Sequence, residues 1–270
     1  MTRTTDTPMI ATCLSYQFCA LTDQGRVRGN NEDAYALDDV VGLAVLADGM
    51  GGYNAGEVAS QMACASIQRE MRRWFGADGS GSEISPQDIR RALARSVTQA
   101  NAEVLKAARG NSSYTGMGTT LVAGVFHAQE LVLGHIGDSR CYRLRGNEFM
   151  QLTRDHSLLQ EQIDAGLLTP EQAATATYRN LVTRALGVDA AVMLEVHEHQ
   201  VEPEDLYLMC SDGLSDMLRD AEIARILASS TSLEAGAKAL IAQANERGGR
   251  DNITVVLAQA HEQRRSASTR

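Results

Sequence analysis

Acidic residues stand at five places where a strand-like apolar run meets a turn that contains glycine or asparagine. Any one of them alone fits a turn or a helix cap, but the repetition favours a shared site. If these strand ends converge, the like charges cannot all stay ionised without a compensating cation. The acids are Glu32 and Asp33 in RGNNED, Asp48 in VLADGMGG, Asp138 in GHIGDSR, Asp212 in LMCSDGLSD and Asp251 in GGRDNITVV.

The donor atoms at these sites indicate the class of cation. Carboxylates offer oxygen ligands, which suit Mg²⁺ or Mn²⁺ better than zinc. A calcium-binding EF-hand would hold its ligands within one loop of about twelve residues. Here the acids run from Glu32 to Asp251. The sequence therefore predicts a Mn²⁺ or Mg²⁺ site assembled from distant parts of the chain.

The glycine-rich stretch around Asp48 admits three interpretations. Asp-Gly is a common tight-turn signal, because glycine adopts positive φ without strain. A phosphate-binding loop would need G-x-x-x-x-G-K-[ST] or G-x-G-x-x-G, and the stretch contains neither. In the third interpretation Asp48 is a metal ligand, and the glycines after it leave room for ions and a phosphate group.

The composition is that of a soluble globular protein. The chain has 270 residues, of which 44% are hydrophobic, so it can bury a sizeable core. Its formal net charge of −9 argues against a nucleic-acid or membrane-surface partner, because both select for basic surfaces. No signal peptide or membrane span is evident, and the five cysteines form no C-x-x-C pair. We therefore expect a cytoplasmic monomer with reduced thiols.

Strand-like and helical runs follow one another in an order that predicts an α+β fold. Turn signals pair several strands as hairpins, which favours antiparallel sheets covered by helices over a doubly wound parallel sheet. Long helical patterns cover residues 54–75, 85–109 and 232–248, the second with Ser85 as its N-cap. The strand-like runs are 14–21, 40–48, 119–128, 130–138, 140–145, 148–152, 193–201, 205–212 and 252–260.

The pattern changes between about residues 154 and 190, where short helical pieces surround Pro170. This segment interrupts the strands directly after LTRDHS, so we predict that it is a flap beside the site. No linker or repeat divides the rest of the chain. We predict a single domain over residues 13–261, with tails at 1–12 and 262–270.

Seven motifs together resemble those of the metal-dependent protein serine/threonine phosphatases, the PPM or type 2C family, in its bacterial form. They are RVRGNNEDA, ADGMGGYNAGEVAS, GMGTTLVAG, HIGDSRCYRL, LTRDHSL, CSDGLSD and RDNITVV, in the family's order, within about residues 15–260. The resemblance implies a four-layer αββα sandwich: two antiparallel sheets flanked by paired antiparallel helices. It also implies a binuclear Mn²⁺/Mg²⁺ centre at one end of the sandwich.

The resemblance also implies a role for each acid. Asp48 would bridge both ions, the Gly49 carbonyl would bind one of them, and Asp212 and Asp251 would complete the first ion's ligands. Glu32 and Asp33 would hold water molecules of the centre from outside the direct ligands. Asp138 would bind a third, weaker ion, which it would share with Asp212.

Two further positions bear on the chemistry. Arg28 stands five residues before Asp33, where the family has an arginine that grips phosphate, and a guanidinium is a planar bidentate donor for that group. Animal members of the family have a histidine, proposed as general acid, where this chain has Met50. The proton donor therefore stays unassigned, and we interpret His135 and His156 as packed or loop histidines.

The resemblance therefore implies hydrolysis of phosphoserine and phosphothreonine in proteins, with Arg28, Asp48 and Asp138 as the catalytic residues. The expected partners are phosphorylated proteins, substrates of a bacterial Ser/Thr kinase. No second Asp follows Asp48 two residues later, which excludes a phosphatase of the haloacid-dehalogenase type. No cysteine has an arginine six residues later, which excludes a cysteine-based phosphatase. The alternatives are a non-catalytic relative that docks phosphoproteins and a phosphatase dedicated to one small regulatory protein.

Overall fold

In the computed structural model, which describes residues 13–51, 55–78, 84–169, 172 and 181–263, the strands form two antiparallel sheets. The first sheet has the order β1-β11-β10-β7-β8, and the second has the order β2-β3-β5-β6-β9, with β4 paired to β3. The strands are β1 (Cys13–Asp23), β2 (Asp33–Asp38), β3 (Leu43–Met50), β4 (Gly118–Thr119), β5 (Leu121–His127), β6 (Glu130–Ile136), β7 (Arg140–Arg145), β8 (Glu148–Gln151), β9 (Glu195–Gln200), β10 (Leu206–Cys210) and β11 (Ile253–Gln263).

The described helices lie mostly in two pairs. Ser85 caps the second helix in a reciprocal capping box with Asp88, as its sequence predicts. None of the described helices has the length and apolar character needed to cross a bilayer. The helices are α1 (Ala55–Asp78), α2 (Pro86–Gly110), α3 (Leu158–Asp164), α4 (Asp212–Ser215), α5 (Asp220–Ser229) and α6 (Leu233–Glu246).

Three apolar layers hold the sheets and helices together. Alternate residues of one strand face different layers: Val45 packs with α1 and α2, while Leu46 packs between the sheets. On the other sheet, Val256 faces the layer between the sheets and Val255 faces α5 and α6. The order is therefore helices, sheet, sheet, helices, which confirms the predicted α+β sandwich.

The sequence patterns missed β2, α5 and the short elements β4 and α4, and they ended β11 too early. The strand β2 has the sequence DAYALD, whose acids and alanines make no apolar run, and it forms because its backbone pairs with β3. Helix α5 is short, with Ile223 and Leu227 as its buried residues. Strand β11 extends through Gln263, two residues into the predicted tail, because it pairs with β1 there.

The predicted flap is described only in part. Helix α3 follows an N-cap at Ser157, which also bridges to Val182. A second bridge, between Leu186 and Thr119 of β4, returns the chain to the sandwich. Pro170 and residues 173–180 lie outside the described part of the chain, as do the tails at 1–12 and 264–270.

Candidate metal centre

The first two acids of the site face each other across a strand pair. Strands β2 and β3 pair antiparallel in a register that sets Asp33 directly opposite Asp48. Cross-strand partners of this kind have side chains on the same face of the sheet. Asp33 is buried, with 7% of its surface exposed. The two carboxylates therefore lie side by side at one end of the second sheet.

The other sheet supplies two more acids at the same end. Asp212 opens α4 directly after β10, and Asp251 stands two residues before β11. Ser211 links the sheets, because its hydroxyl donates to Asp33 Oδ2 at 2.8 Å and accepts the Thr254 N–H at 3.0 Å. The predicted convergence of Asp33, Asp212 and Asp251 is therefore present in the structure.

Burial and mutual repulsion raise the pKa of the acids. Burial, followed by the charges of Asp33 and Asp212, raises the pKa of Asp48 well above its usual value. The pKa of Asp212 rises for the same reason, with the charges of Asp138 and Asp251 next in importance. Without a cation, this cluster therefore holds protons at pH values where exposed aspartates are ionised.

The pKa values of two other acids of the cluster, Asp33 and Asp138, are raised less. Burial raises the pKa of Asp33 to about 6, although hydrogen bonds from Thr254 and Ser211 act in the opposite direction. Burial also raises the pKa of Asp138 to about 6, and the nearby charge of Asp155 adds to the effect. Asp138 belongs to the same electrostatic cluster, since its charge acts on both Asp48 and Asp212.

The donor set fits divalent oxygen-preferring ions. Within the described residues, neither Asp33 Oδ1 nor Asp212 Oδ1 has a hydrogen-bond partner, although both atoms are buried. Buried acceptors are normally satisfied, so these two oxygens call for a partner from outside the chain. A pair of Mn²⁺ or Mg²⁺ ions would satisfy the oxygens and offset the charge of the surrounding acids.

The glycines after Asp48 allow a close backbone approach. A β-carbon at Gly49 would collide with the Gly56 carbonyl oxygen in the first turn of α1 and with the Glu32 carbonyl oxygen. The Gly49 N–H donates to that Glu32 carbonyl at 3.1 Å. The Glu32 carboxylate in turn lies against Gly56. Glycine is therefore required at position 49 for β3, α1 and the 24–32 turn to meet.

Arg28 lies on the turn between β1 and β2 and reaches the cluster. Its side chain is 52% exposed, and Nη2 donates to Asp251 Oδ2 at 2.5 Å. Asn252 fixes the turn, because its amide donates to the Asn30 carbonyl and its Oδ1 accepts the Glu32 N–H, both at 2.8 Å. Arg28 is therefore anchored beside the acids with its guanidinium open to solvent.

Hydroxyl groups that sequence reasoning missed hold the main chain of Asp48. The Thr120 hydroxyl accepts the Asp48 N–H at 3.0 Å, and the Thr119 hydroxyl donates to the Asp48 carbonyl at 2.9 Å. Ser139, the neighbour of Asp138, bonds the Thr120 hydroxyl at 2.7 Å. The motifs GTT and GDS contain these residues, and the hydroxyls are the signal that could have identified them.

A second group of potential metal ligands is better explained as a hydrogen-bonded network. Suitable atoms of His135, His156 and Glu195 lie within 4.8 Å of one another. However, the Gly137 N–H donates to His156 Nδ1 at 3.1 Å, so the proton of this imidazole is on Nε2, 3.1 Å from Glu195. His156 therefore has no lone pair for a metal. Both histidines are buried, as expected of packed side chains.

The raised pKa values predict how pH affects the stability of the metal-free protein. The pKa of Asp33, at about 6, is above the value near 4 of an unfolded aspartate, so its stabilising contribution is present below about pH 4 and is lost as pH rises through about 6. We expect the stabilisation by Mn²⁺, measured as the shift in Tm on adding the ion, to grow over that range.

Matched acid variants test this pH dependence. The Asp33→Asn variant should lose part of the pH dependence of its metal-free Tm, whereas Asp39→Asn, at an exposed position in the turn between β2 and β3, should keep it. Thermal unfolding at a series of pH values gives both slopes. Identical slopes in the two variants would contradict the raised pKa of Asp33.

Comparison with known proteins identifies the family of this chain. The protein phosphatase 2C family profile matches residues 25–255. The serine/threonine phosphatase stp of Listeria innocua is 36% identical over 241 residues, which cover 88% of this chain and 93% of that protein.

Solved structures are similar over nearly the whole chain. The crystal structure of the Mycobacterium tuberculosis serine/threonine phosphatase PstP/Ppp has a TM-score of 0.83 at 38% identity and covers 92% of this chain and 99% of that one. The catalytic domain of serine/threonine protein phosphatase PstP in complex with two manganese ions has a TM-score of 0.80 at 36% identity and covers 92% and 100%. The chain belongs to the protein phosphatase 2C family.

Proposed function

We propose that this chain hydrolyses phosphoserine and phosphothreonine in proteins, at the acid cluster between the ends of the two sheets. The observation that carries the proposal is the cluster of the buried Asp33 with the partly buried Asp48, Asp212 and Asp251, which has two buried carboxylate oxygens without a partner among the described residues and an arginine beside it. Its substrates are phosphoproteins made by a Ser/Thr kinase. The protein acts as a cytoplasmic monomer in a single domain.

The residues would divide the binding of two Mn²⁺ or Mg²⁺ ions among them. Asp48 would hold both ions, and the Gly49 carbonyl would help to hold one of them. Asp212 and Asp251 would complete the ligands of the first ion, and Asp33 and Glu32 would orient water molecules. When bound, the ions lower the pKa of water and offset the negative charge that gathers on the phosphoryl group. The manganese complex of PstP supports this choice of ions.

Arg28 binds the phosphoryl group of the substrate. Its guanidinium is half-exposed and anchored to Asp251, and the turn that carries it is held by Asn252. A planar fork of N–H donors matches two phosphate oxygens at once. Arg28 therefore orients the phosphoryl group over the acids, so that water attacks in line with the departing serine oxygen.

Asp138 assists protonation of the leaving group, the serine or threonine oxygen of the substrate. Met50 has no proton to give, so the proton for the departing oxygen comes from a water molecule or from another group. Asp138 is buried at the cluster's edge, and its charge acts on Asp212, with which it would share a weaker third ion. We place Asp138 as the residue that orients the water protonating the departing oxygen.

Substrate selectivity at saturating Mn²⁺ tests this function. Matched peptides that carry phosphoserine, phosphothreonine or phosphotyrosine at one position should give phosphate release from the first two, with kcat/KM at least about tenfold above that of the third. A docking relative would bind the peptides without releasing phosphate. Activity on p-nitrophenyl phosphate with no release from any phosphopeptide would contradict the proposal.

Replacement of Arg28 by alanine should mainly weaken substrate binding. We expect KM for a phosphoserine peptide to rise about tenfold and kcat to change less than about threefold, because the arginine binds phosphate in the ground state as well as in the transition state. The matched control is Arg26→Ala, an exposed arginine on the same turn. Steady-state kinetics give both constants. Equal KM values for the two variants would make Arg28 an ordinary surface residue.

A further inference from the structure

The chain that leaves the flap is fixed against the metal centre. This exit segment, residues 186–190, begins at the buried Leu186, which exchanges two backbone hydrogen bonds with Thr119, at 2.8 and 2.9 Å. Thr119 is the residue whose hydroxyl bonds the Asp48 carbonyl. The exit segment is therefore one residue away from the main chain of a predicted metal ligand.

A buried asparagine on α2 clamps the other side of the exit segment. Asn101 is 2% exposed, its Oδ1 accepts the Gly187 N–H at 2.7 Å, and its Nδ2 donates to the Asp189 carbonyl at 2.9 Å. Gly187 has a φ of +89°, and a β-carbon there would lie 2.5 Å from Val104 Cγ1. The backbone on both sides of Val188 is therefore held in one conformation.

Val188 is exposed in spite of this clamp. Its side chain is 54% exposed, which is high for an apolar residue on a fixed backbone. Its Cγ2 lies 3.0 Å from the position that a β-carbon of Gly118 would take, and Met50 Cγ lies 3.6 Å from that position. Gly118 pairs with Met50 across β3 and β4. Val188 and Met50 thus both lie close to the buried Gly118, and we call these three apolar residues the shelf.

The shelf begins one residue after the predicted ligand Gly49, since Met50 follows Gly49 in β3. A phosphoprotein segment with its phosphate at the acids must pass the surface around them. We propose that Val188 is a specificity-determining residue, which contacts an apolar side chain next to the phosphoserine. This inference rests on the proposed function. A shelf fixed before binding loses little conformational freedom when the substrate covers it.

The test is whether a positive charge at position 188 changes the preference for an apolar over an acidic side chain beside the phosphoserine. The probes are phosphoserine peptides with leucine or aspartate at either neighbouring position, together with p-nitrophenyl phosphate. For at least one of the two neighbouring positions, wild-type protein should have a kcat/KM about tenfold higher for the leucine peptide than for the aspartate peptide. The Val188→Arg variant should abolish this preference or favour the aspartate peptide. Val40→Arg is the matched control, since Val40 is 90% exposed in the turn between β2 and β3, at the other end of β3.

The outcomes separate this inference from the proposed function. Val40→Arg should keep the wild-type ratio, and all three proteins should hydrolyse p-nitrophenyl phosphate within about threefold of one another. An unchanged peptide ratio in Val188→Arg would overturn the inference alone. A folded Val188→Arg variant that loses activity on the peptides and on p-nitrophenyl phosphate to the same extent would also overturn the inference, because Val188 would then support the structure of the metal centre. Wild-type protein inactive on every peptide would remove the proposed function as well.

Discussion

Replacement of Asp212 by asparagine is expected to lower kcat for a phosphoserine peptide by more than about 100-fold at saturating Mn²⁺, beyond the usual effect of changing a residue outside the direct ligands. Asparagine keeps the size of the side chain but removes its charge. Since Asp212 is partly buried and the neighbouring acids raise its pKa, the fold should persist while metal binding weakens. Kinetics and thermal unfolding measure the two effects.

The exposed acid Asp39 provides the control, because Asp39→Asn removes the same charge in the turn far from the cluster. It should behave as wild type. Asp251→Asn should be as inactive as Asp212→Asn and should also raise KM, since it loosens the anchor of Arg28. Near-normal kcat in Asp212→Asn at saturating Mn²⁺ would show that Asp212 is not a ligand.

Replacement of Asp138 by alanine should separate metal binding from turnover. We expect the variant to retain two tightly bound ions and to lose about 100-fold in kcat for a phosphoserine peptide, the scale of general acid catalysis. The loss with p-nitrophenyl phosphate should be smaller, because its leaving group needs little protonation. Calorimetric titration with Mn²⁺ gives the stoichiometry, and both assays give the rates.

Two other results for Asp138→Ala would change its assignment. Loss of a tightly bound ion would place Asp138 in the binuclear centre. Normal turnover of both substrates would make it a turn residue and would leave a third ion without a catalytic role. Ser139→Ala is the companion variant, because it alters the neighbouring hydroxyl that bonds Thr120 and keeps the carboxylate.

The sequence predicted the position of the acids better than the contacts that hold them. Asp48 and Asp212 stand at the ends of apolar strands, and strand ends of two packed sheets meet at the same edge. By contrast, the bond from Ser211 to Asp33 joins different sheets and depends on how they pack. Residue patterns record which face a strand buries, but they do not record which hydroxyl will lie opposite a given carboxylate.

Local signals also failed where tertiary pairing decides the structure. Strand β2 carries Asp33 into the cluster, yet its sequence lacks the apolar alternation typical of a strand, and pairing with β3 fixes it. For Asp48 the residues alone left a turn, a phosphate loop and a metal ligand open. The raised pKa of that acid and the neighbouring carboxylates that contribute to it, which the sequence cannot supply, favour the metal ligand.

Phosphate release from a phosphoserine peptide by metal-free protein, before and after addition of Mn²⁺, tests the central claim most directly. Wild-type protein should be inactive without the ion and active with it, and Asp48→Asn should stay inactive under both conditions, because Asp48 lies at the centre of the cluster. Equal release with and without Mn²⁺, or full activity of Asp48→Asn, would contradict a metal centre built on these acids.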